Sequence, residues 1–193
     1  MNGNQPTQSL TVASTTRRVA VDPVLKVKRI AVLLLDVDGV LTDGGLFYAD
    51  NGDEMKRFHV RDGMGIRIWQ SLGLRVAVLS GRTSPALERR AKELDIFPIV
   101  QGQTDKRAAL QQILDTLQVE AEQVCVVGDD LPELPLMARC GISAAVADAA
   151  LEVRAVAQFI TTQPGGHGAV REVIEWILKL RGDWTQALQA YQG

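Results

Sequence analysis

Two aspartates stand directly after an apolar run near the start of the chain. Residues 30–35 have the sequence Ile-Ala-Val-Leu-Leu-Leu, and Asp36, Asp38 and Gly39 come next. A run with no polar alternation is typical of a strand buried on both faces of a parallel sheet. Reactive groups collect beyond the carboxyl ends of such strands, and carboxylates placed there need cations nearby. We therefore expect Asp36 to act as a nucleophile and Asp38 as its proton-transfer partner.

An isolated Asp-x-Asp is ambiguous, because it is also found in turns, at helix caps and in the metal-binding motif of sugar transferases. The polar residues after later strands narrow the choice. Ser80 follows the predicted strand 75–79, Lys106 opens the helix after the third strand, and Asp129 follows the predicted strand 123–127. Parallel strands bring their carboxyl ends to one edge of the sheet, so we expect these groups to share one cleft with the aspartate pair.

These residue types suit phosphoryl transfer. A carboxylate that attacks a phosphate dianion is repelled by about 4 kcal/mol at ~4 Å and an effective dielectric near 20, so the site needs cations. Mg²⁺ binds one or two carboxylates plus substrate phosphate, and we expect Asp36, Asp129 and the backbone carbonyl of Asp38 as its ligands. Lys106 adds a positive charge, and Ser80 donates a hydrogen bond to phosphate. In this hypothesis Asp36 forms an aspartyl-phosphate, Asp38 protonates the leaving oxygen, and Asp38 then activates water.

The remainder of the chain alternates strands with helices, which predicts an α/β fold: a three-layer, Rossmann-like parallel sheet with helices on both faces. Strands are predicted at 30–35, 75–79, 97–100, 123–127, 142–146 and 159–160, and helices at 24–28, 63–72, 85–94, 106–117, 134–139 and 169–180. Asp62 is expected to cap the second helix and Gly73 to end it. Residues 1–21 are predicted to be a flexible arm, and residues 22–193 a single domain.

A β-hairpin is predicted as an insert at residues 45–59. Two short β-prone segments flank Asn51-Gly52, a dipeptide that favours a tight hairpin turn. Leu46, Phe47 and Phe58 of this insert are apolar and need cover. Since the sequence predicts no cap domain, we expect a neighbouring subunit to provide that cover.

Composition excludes several other classes. The formal net charge of −2 over 193 residues gives no electrostatic reason to expect nucleic acid as a partner. Two cysteines, Cys125 and Cys140, predict no disulfide framework, and no apolar run reaches the ~20 residues of a membrane span. The polar N-terminal segment lacks the apolar core of a secretory signal, so a cytoplasmic protein that does not bind membranes is expected.

The same motifs resemble those of a known family. Asp36-Val-Asp-Gly-Val-Leu-Thr, Ser80-Gly-Arg, Lys106 and Gly128-Asp-Asp resemble, in order, the four motifs of the haloacid-dehalogenase-like phosphatases. Residues 58–63, 101–103, 128–132, 145–148 and 165–172 are similar to a branch of that family that dephosphorylates an eight-carbon sugar acid. The resemblance implies a capless, Mg²⁺-dependent phosphoric monoester hydrolase that forms a homotetramer. It also implies the substrate 3-deoxy-D-manno-octulosonate 8-phosphate and a role in lipopolysaccharide precursor synthesis.

The resemblance also implies a set of substrate contacts, which are Asp38, His59, Val60, Arg61, Asp62, Gly63, Arg67, Arg82, Arg90 and Lys106. Arginine forks suit a substrate that bears both a carboxylate and a phosphate, and Arg67 is expected to face the catalytic cleft. Three positions depart from the family pattern. His59 replaces the usual Asn and His167 the usual Arg, both near the expected sugar pocket. Glu133 replaces an Asp, a change expected only to reshape a loop.

Other functions remain open at this point. The same chemistry could act on a related nine-carbon sugar-acid phosphate, or on many sugar phosphates. A different class is an inactive phosphatase-like domain that serves in oligomerisation or regulation, although the retained acids and Lys106 argue against it. A receiver domain also combines acids, a hydroxyl and a lysine. Its acid pair precedes a separate phosphoacceptor strand, whereas here both key acids follow the first strand.

Overall fold

The chain folds around a parallel sheet whose central strand is the apolar run before the two aspartates. The structure is a computed structural model, and it describes residues 23–191. The strands in that range are β1 (Val32–Leu35), β2 (Phe47–Tyr48), β3 (Glu54–Met55), β4 (Arg75–Leu79), β5 (Ile99–Val100), β6 (Val124–Gly128), β7 (Ile142–Ala145) and β8 (Phe159–Ile160). The helices are α1 (Pro23–Val27), α2 (Val60–Ser71), α3 (Pro85–Glu93), α4 (Lys106–Leu117), α5 (Leu134–Met137), α6 (Leu151–Val156), α7 (Ala169–Arg181) and α8 (Trp184–Gln189).

The sheet places its reactive edge beside β1. Within residues 23–191 the six-stranded sheet has the order β5-β4-β1-β6-β7-β8, and all neighbouring strands run parallel. The chain moves outward from β1 through β4 to β5 and then returns to the other side of β1 with β6. The strand order therefore reverses at β1, which opens a crevice at the carboxyl ends of the strands. Leu35 pairs with Val78 on one side and Val127 on the other, so the residues after these strands lie side by side.

The crossovers are right-handed, so connections that run in opposite directions along the sheet place their helices on opposite faces. On one face α2 packs against α7, and α7 in turn packs against α1 and α8. On the other face α4 packs against α5. Strand β1 is buried along its whole length, as expected for a strand covered on both faces. The predicted three-layer α/β fold is confirmed.

The predicted hairpin is present as a small separate ribbon. Strands β2 and β3 pair antiparallel, with Phe47 opposite Met55 and Tyr48 opposite Glu54. Gly52 has a φ of +87°, which the tight turn requires and which glycine adopts without strain. Phe47 is 51% exposed and Met55 is 57% exposed, so the ribbon contributes little to the main core.

The predicted start of helix α2 is wrong. Helix α2 begins at Val60, three residues earlier than predicted, and its cap is His59, whose Nδ1 accepts the backbone N–H of Arg61. Asp62 therefore does not cap its own helix. It is buried and accepts the backbone N–H groups of Gly168 and Arg171 at the start of α7, at 3.3 and 2.8 Å. An aspartate at a helix N-terminus stabilises the free amides there, so Asp62 joins α2 to α7.

Two helices, α6 and α8, were not predicted. Each spans six residues and buries a single side chain, Val153 in α6 and Ala187 in α8, so neither has the apolar stripe that predicts a helix. The predicted N-terminal arm lies outside the described residues, and the domain boundary at residue 22 stays a prediction. Among the helices of residues 23–191, none combines the length and the apolar character that a membrane crossing requires.

Candidate active site

A pocket of about 410 Å³ opens at the carboxyl edge of the sheet, where β1, β4 and β6 end. We call it the catalytic pocket. It is lined by Asp36, Asp38, Ser80, Gly81, Arg82, Gln103, Thr104, Lys106, Asp129, Asp130, Pro132 and Glu133. The structure thus brings together all the residues predicted to be catalytic or to bind metal.

Asp36 and Lys106 form the closest contact between predicted residues. The Nζ atom of Lys106 lies 2.6 Å from Oδ1 of Asp36, and the two side chains are 8% and 10% exposed. Lys106 is held by the start of α4, where the side chain of Asp105 accepts the backbone N–H groups of Arg107 and Ala108. Burial raises the pKa of Asp36 to about 6, while Lys106 opposes that rise. Asp36 is therefore ionised at neutral pH, as a nucleophile must be.

Glu133 is a pocket residue, and the prediction that it only reshapes a loop is wrong. Its side chain is 2% exposed and forms an ion pair with Nζ of Lys106 through Oε1. Its other oxygen, Oε2, accepts the backbone N–H of Asp130 at 3.2 Å. Burial lowers the pKa of Lys106, but Asp36 and Glu133 outweigh that effect and raise it, so the ammonium stays charged. One feature of the sequence indicates this position in the pocket, because Glu133 is a carboxylate only four residues after Asp129.

Asp129 completes a pair of carboxylates that suits a divalent cation. Its Oδ2 atom fills the space where a side chain at Gly39 would stand, so it leans over the residues that follow β1. Burial and, next, the negative charge of Asp36 raise the pKa of Asp129 to about 7. A small divalent cation prefers oxygen ligands, and it would stabilise these two mutually repelling carboxylates. Within residues 23–191 there is no group of three His, Cys, Asp or Glu side chains arranged for metal binding, so an ion here would add backbone oxygen or water to these two carboxylates.

Asp38 contacts the hairpin, which the sequence predicts to lie beside the acid pair, through an ion pair that the sequence does not predict. Lys56 of the hairpin forms an ion pair with Oδ1 of Asp38, and its side chain is only 2% exposed. Lys56 also lies 3.1 Å from Glu54. Arg82 approaches Oδ2 of Asp38 at 3.6 Å and forms an ion pair with Glu54. The proton-transfer candidate is therefore surrounded by two cations, one from the hairpin and one from the loop after β4.

Ser80 lies at the floor of the same pocket. It is 3% exposed, and its Oγ accepts the backbone N–H of Arg82 at 3.1 Å. A hydroxyl that accepts one hydrogen bond still has its own O–H to donate. Ser80 can therefore donate to a phosphate oxygen while its position is fixed by the loop.

Most of the predicted substrate contacts lie outside the catalytic pocket of their own chain. A second pocket of about 390 Å³ is lined by Val60, Gly63, Met64, Arg67, Arg90, Glu93 and Leu94. Arg67 donates to the backbone oxygen of Glu93 at 2.9 Å, and Arg90 lies 3.3 Å from the Glu93 carboxylate. The two pockets share no residue, so the expectation that Arg67 faces the catalytic cleft does not hold within one chain. Of the predicted substrate contacts, Asp38, Arg82 and Lys106 line the catalytic pocket.

The two unusual histidines also lie away from it. His59 caps α2, as described above. His167 lines a third pocket with Arg61, where its Nε2 atom is 3.0 Å from Arg57 and its Nδ1 atom is 2.7 Å from the backbone oxygen of Gly165. Within one chain these positions therefore do not shape the catalytic pocket.

Comparisons with known proteins agree with this geometry. Residues 91–174 match the model of a family described as haloacid dehalogenase-like hydrolase. The 3-deoxy-D-manno-octulosonate 8-phosphate phosphatase KdsC of Yersinia pestis is 45% identical over 160 residues, which are 83% of this chain and 86% of that protein. The corresponding protein of Escherichia coli K12 is 41% identical over 169 residues, which are 88% of this chain and 90% of that protein.

A solved structure of a phosphatase with the same name is also similar to this chain. The crystal structure of 3-deoxy-D-manno-octulosonate 8-phosphate phosphatase from Moraxella catarrhalis contains a magnesium ion, a phosphate ion and a KDO molecule. It matches this chain with a TM-score of 0.85 and 40% identity, and the match covers 88% of this chain and 98% of the other.

Proposed function

Since the chain belongs to the 3-deoxy-D-manno-octulosonate 8-phosphate phosphatase family of haloacid dehalogenase-like hydrolases, we propose that it converts 3-deoxy-D-manno-octulosonate 8-phosphate to the free sugar acid and phosphate. The observation that supports this most strongly is the buried contact of 2.6 Å between Lys106 and Asp36, beside Asp129 in one pocket. An inactive structural domain would have no reason to keep ionised groups buried together, because burying charge costs stability.

The residues divide the reaction between them. An oxygen of Asp36 attacks phosphorus, and the new O–P bond replaces the bond to the sugar oxygen. Asp38, which enters this step protonated, gives that proton to the leaving oxygen. Asp38 then takes a proton from water, which attacks the phosphorus of the aspartyl-phosphate and releases Asp36 and phosphate. Lys106 and Ser80 hold phosphate oxygens throughout. Arg82 is available at the pocket mouth for the carboxylate of the sugar acid.

Mg²⁺ is the proposed cofactor, and Asp36 and Asp129 with the backbone carbonyl of Asp38 would hold it. When bound, it neutralises charge on the phosphate and on the two carboxylates. The donors fit the ion, because Asp36 and Asp129 are two carboxylates in one pocket and Oδ2 of Asp129 lies against Gly39, directly after the residue whose carbonyl would be the third ligand.

The test is phosphate release from a panel of sugar-acid phosphates with eight and nine carbons, compared by kcat/KM with and without Mg²⁺. We expect the eight-carbon substrate to be preferred, activity to require Mg²⁺, and Asp36→Asn to lose at least ~10⁴-fold in kcat. Turnover by Asp36→Asn at the wild-type rate would refute the covalent mechanism. Preference for a nine-carbon substrate would instead support the alternative that keeps the chemistry and changes the sugar.

We further propose that the enzyme is a homotetramer in which neighbouring subunits complete the substrate site. Leu46, Phe47 and Met55 of the hairpin are about half exposed, at 48%, 51% and 57%, and an apolar ribbon of this kind is typical of an interface. The predicted substrate arginines Arg67 and Arg90 do not line their own chain's catalytic pocket. In an assembly they would act on the pocket of another subunit.

Mixed subunits test this assembly. Asp36→Asn and Arg90→Ala proteins should each be inactive alone. When the two are unfolded and refolded together, activity should return, because a mixed assembly can combine the intact Asp36 of one subunit with the intact Arg90 of another. Failure to recover activity, together with elution as a monomer from a sizing column, would contradict the proposal.

We place the reaction in the cytoplasm, as a step in making the inner sugar of lipopolysaccharide. A substrate that carries a phosphate and a carboxylate does not cross a membrane unaided, because burying its charges in hydrocarbon is too costly. The enzyme therefore works in the compartment where its substrate is made. Cell fractionation checks the location, and accumulation of the phosphorylated sugar acid in a deletion strain checks the role.

A further inference from the structure

Residues 146–150, which we call the β7 loop, connect the two sides of the proposed Mg²⁺ site. The backbone N–H of Ala150 donates to the backbone oxygen of Asp129 at 2.7 Å. Two residues earlier, Oδ1 of Asp148 accepts the backbone N–H of Gly165 at 2.9 Å. Because Asp129 is an expected metal ligand, the first of these contacts reaches the metal site directly. The second reaches it through Gly165.

Gly165 packs against the segment that follows β1. A Cβ atom added to Gly165 would lie 1.7 Å from the backbone oxygen of Gly39, so only a glycine allows this approach. The next residue, Gly166, donates its backbone N–H to the oxygen of Val40 at 2.9 Å. Both glycines are buried. They therefore pack on the turn directly after Asp38, whose backbone carbonyl is the third expected metal ligand.

These contacts form a closed ring beside the metal site. Oδ2 of Asp129 occupies the space where a side chain at Gly39 would stand, so the two ligand segments also touch each other. From Gly39 the contacts lead to Gly165, and from Gly165 they return through Asp148 and the backbone of Ala150 to Asp129. The pairing of β1 with β6 fixes where the two ligand segments begin, whereas the ring fixes how they approach each other beyond the strand ends.

We infer that Asp148 is a positioning residue for the Mg²⁺ site, an inference that rests on the proposed function and adds to it a residue outside the catalytic pocket. The side chain of Asp148 is exposed, and it is not among the described residues that line that pocket. It therefore acts through Gly165 and not by touching the ion or the substrate. A carboxylate is a strong acceptor for a backbone N–H, so this one side chain can hold the glycine turn in place.

The spacing of the ligands matters for this ion in particular. Mg²⁺ requires near-ideal octahedral geometry with ligands at about 2.0–2.1 Å. The carboxylates of Asp36 and Asp129 repel each other, so their segments need contacts that keep them together before the ion binds. The ring supplies such contacts. Loss of the Asp148 contact should therefore weaken Mg²⁺ binding more than it slows the reaction once the ion is bound.

Two substitutions at Asp148 test the hydrogen bond. Asp148→Ala removes the acceptor for the N–H of Gly165, whereas Asp148→Asn keeps the size of the side chain and an oxygen that can accept. Asp115→Ala is the matched control, because Asp115 is also exposed and accepts a hydrogen bond, from Gln111 at 2.8 Å on α4. Since Asp148 is exposed and accepts a single backbone N–H, we expect all three variants to fold.

We expect Asp148→Ala to raise the Mg²⁺ concentration needed for half-maximal phosphate release by roughly 3- to 10-fold. That is less than the ~10- to 100-fold loss for groups that hold a metal ligand directly, because Asp148 is one contact further away. At saturating Mg²⁺, kcat and KM should stay within about twofold of the wild type. Asp148→Asn should recover most of the Mg²⁺ affinity, and Asp115→Ala should match the wild type.

Two results of this assay would overturn the inference. A merely structural role would lower the melting temperature of Asp148→Ala and leave its Mg²⁺ requirement unchanged. Equal losses of Mg²⁺ affinity in Asp148→Ala and Asp148→Asn would show that the hydrogen bond to Gly165 is not responsible.

Thermal unfolding gives a readout that does not depend on turnover. Mg²⁺ raises the melting temperature of a protein that binds it, by an amount set by its concentration relative to Kd. The Mg²⁺ concentration needed for a given rise should be higher in Asp148→Ala by the same factor as in the activity assay, and an unchanged response would overturn the inference. If the wild type releases no more phosphate than Asp36→Asn, the proposed function fails, whereas the Mg²⁺ response in unfolding still decides whether Asp148 supports the site.

Discussion

The pocket floor and the hairpin supply charges to the same site by different structural means. The pocket floor consists of Asp36, Ser80, Lys106, Asp129 and Glu133, which lie in the segments after strands of the main sheet. The hairpin, residues 45–59, supplies Lys56, which directly follows a strand of only two residues. Strand β1 is buried along its length, whereas both residues of β2 are exposed. Lys56 nevertheless has a side chain that is only 2% exposed, because it turns toward Asp38.

This difference suggests that the floor and the hairpin contribute to catalysis in different ways. The floor is held by the main sheet and its charges are buried, so removing one charge leaves its partner buried without compensation. The hairpin is joined to the site mainly through ion pairs, from Lys56 to Asp38 and from Glu54 to Arg82. We therefore expect floor substitutions to abolish chemistry and to change stability, and hairpin substitutions to weaken catalysis or substrate binding with little effect on folding.

Lys106→Met gives the largest expected effect. It removes a cation from the reacting phosphate, so kcat should fall about 10²- to 10³-fold. It also leaves Asp36 and Glu133 buried without their partner, and removing one member of a buried ion pair costs roughly 3–5 kcal/mol of stability. Steady-state kinetics and urea unfolding measure the two losses, with Lys92→Met on the surface of α3 as the control. A large kinetic loss without a stability loss would contradict the view that the floor is one buried charge network.

Lys56→Met tests the hairpin side of the comparison. Removing the cation beside Asp38 should lower kcat/KM by roughly 10- to 100-fold, since that cation holds the group that transfers the proton. The midpoint of urea unfolding should change little, because the hairpin is largely exposed. The neighbouring Arg57→Met is a matched control, as the Arg57 side chain is 60% exposed and pairs with Asp43 instead. Equal activity in the Lys56 and Arg57 variants would show that the hairpin contact has no role in catalysis.

The sequence predicts the floor well for a physical reason. A parallel sheet brings strand ends to one edge, so acids and a lysine at successive strand ends must become neighbours. This argument predicts that Asp36, Ser80, Lys106 and Asp129 are neighbours, and the structure places all four in one pocket. Glu133 was placed in the right loop but given the wrong role, because the argument does not say which way a loop side chain turns or that Gly128 leaves space for it.

The hairpin contacts follow no such rule. The Lys56–Asp38 pair joins residues 18 apart, and the Glu54–Arg82 pair joins residues 28 apart. Neither separation is set by helical or strand periodicity, so only the three-dimensional placement of the ribbon reveals them. The substrate arginines show a different limit, because the fold of one chain places Arg67 and Arg90 in another pocket and the single chain does not test their role.

Asp129→Asn sharpens the view of the floor through pH. In the metal-free protein the folded-state pKa of Asp129 is about 7, above its ordinary value of 3.8, so the folded state binds the proton more tightly than the unfolded chain. Its contribution to stability is present below pH ~4 and is lost as the pH rises through ~7, by roughly 1.4 kcal/mol per unit of pKa difference. The amide of the variant does not titrate, so in EDTA the variant should gain stability relative to the wild type between pH 5 and pH 8.

Thermal unfolding at these two pH values measures that gain, which corresponds to about 2–4 °C per kcal/mol for a chain of this size. Mg²⁺ at pH 8 should raise the melting temperature of the wild type and leave Asp129→Asn almost unchanged. Asp115→Asn is the matched control, because Asp115 is exposed on α4 and lies outside the catalytic pocket. A difference between Asp129→Asn and the wild type that stays constant with pH would contradict the uncompensated carboxylate pair.

Glu54→Gln gives the smallest expected effect and the finest test of the comparison. Partial burial raises the pKa of Glu54, but hydrogen bonds from Arg82 and Lys56 outweigh it and lower that pKa, so the carboxylate is ionised and holds both cations. The Arg82 side chain is 42% exposed, and an exposed ion pair contributes at most ~1 kcal/mol, so KM for the sugar-acid phosphate should rise only about two- to fivefold. Because salt screens exposed charges, the difference in KM between variant and wild type should shrink between about 0.05 and 0.5 M salt. The kinetic loss in Lys106→Met should persist, since its partners are buried. If the effect of Glu54→Gln on KM does not change with salt, the Glu54–Arg82 pair is shielded from solvent like the buried pairs of the floor. That outcome would contradict the distinction between the hairpin and the floor.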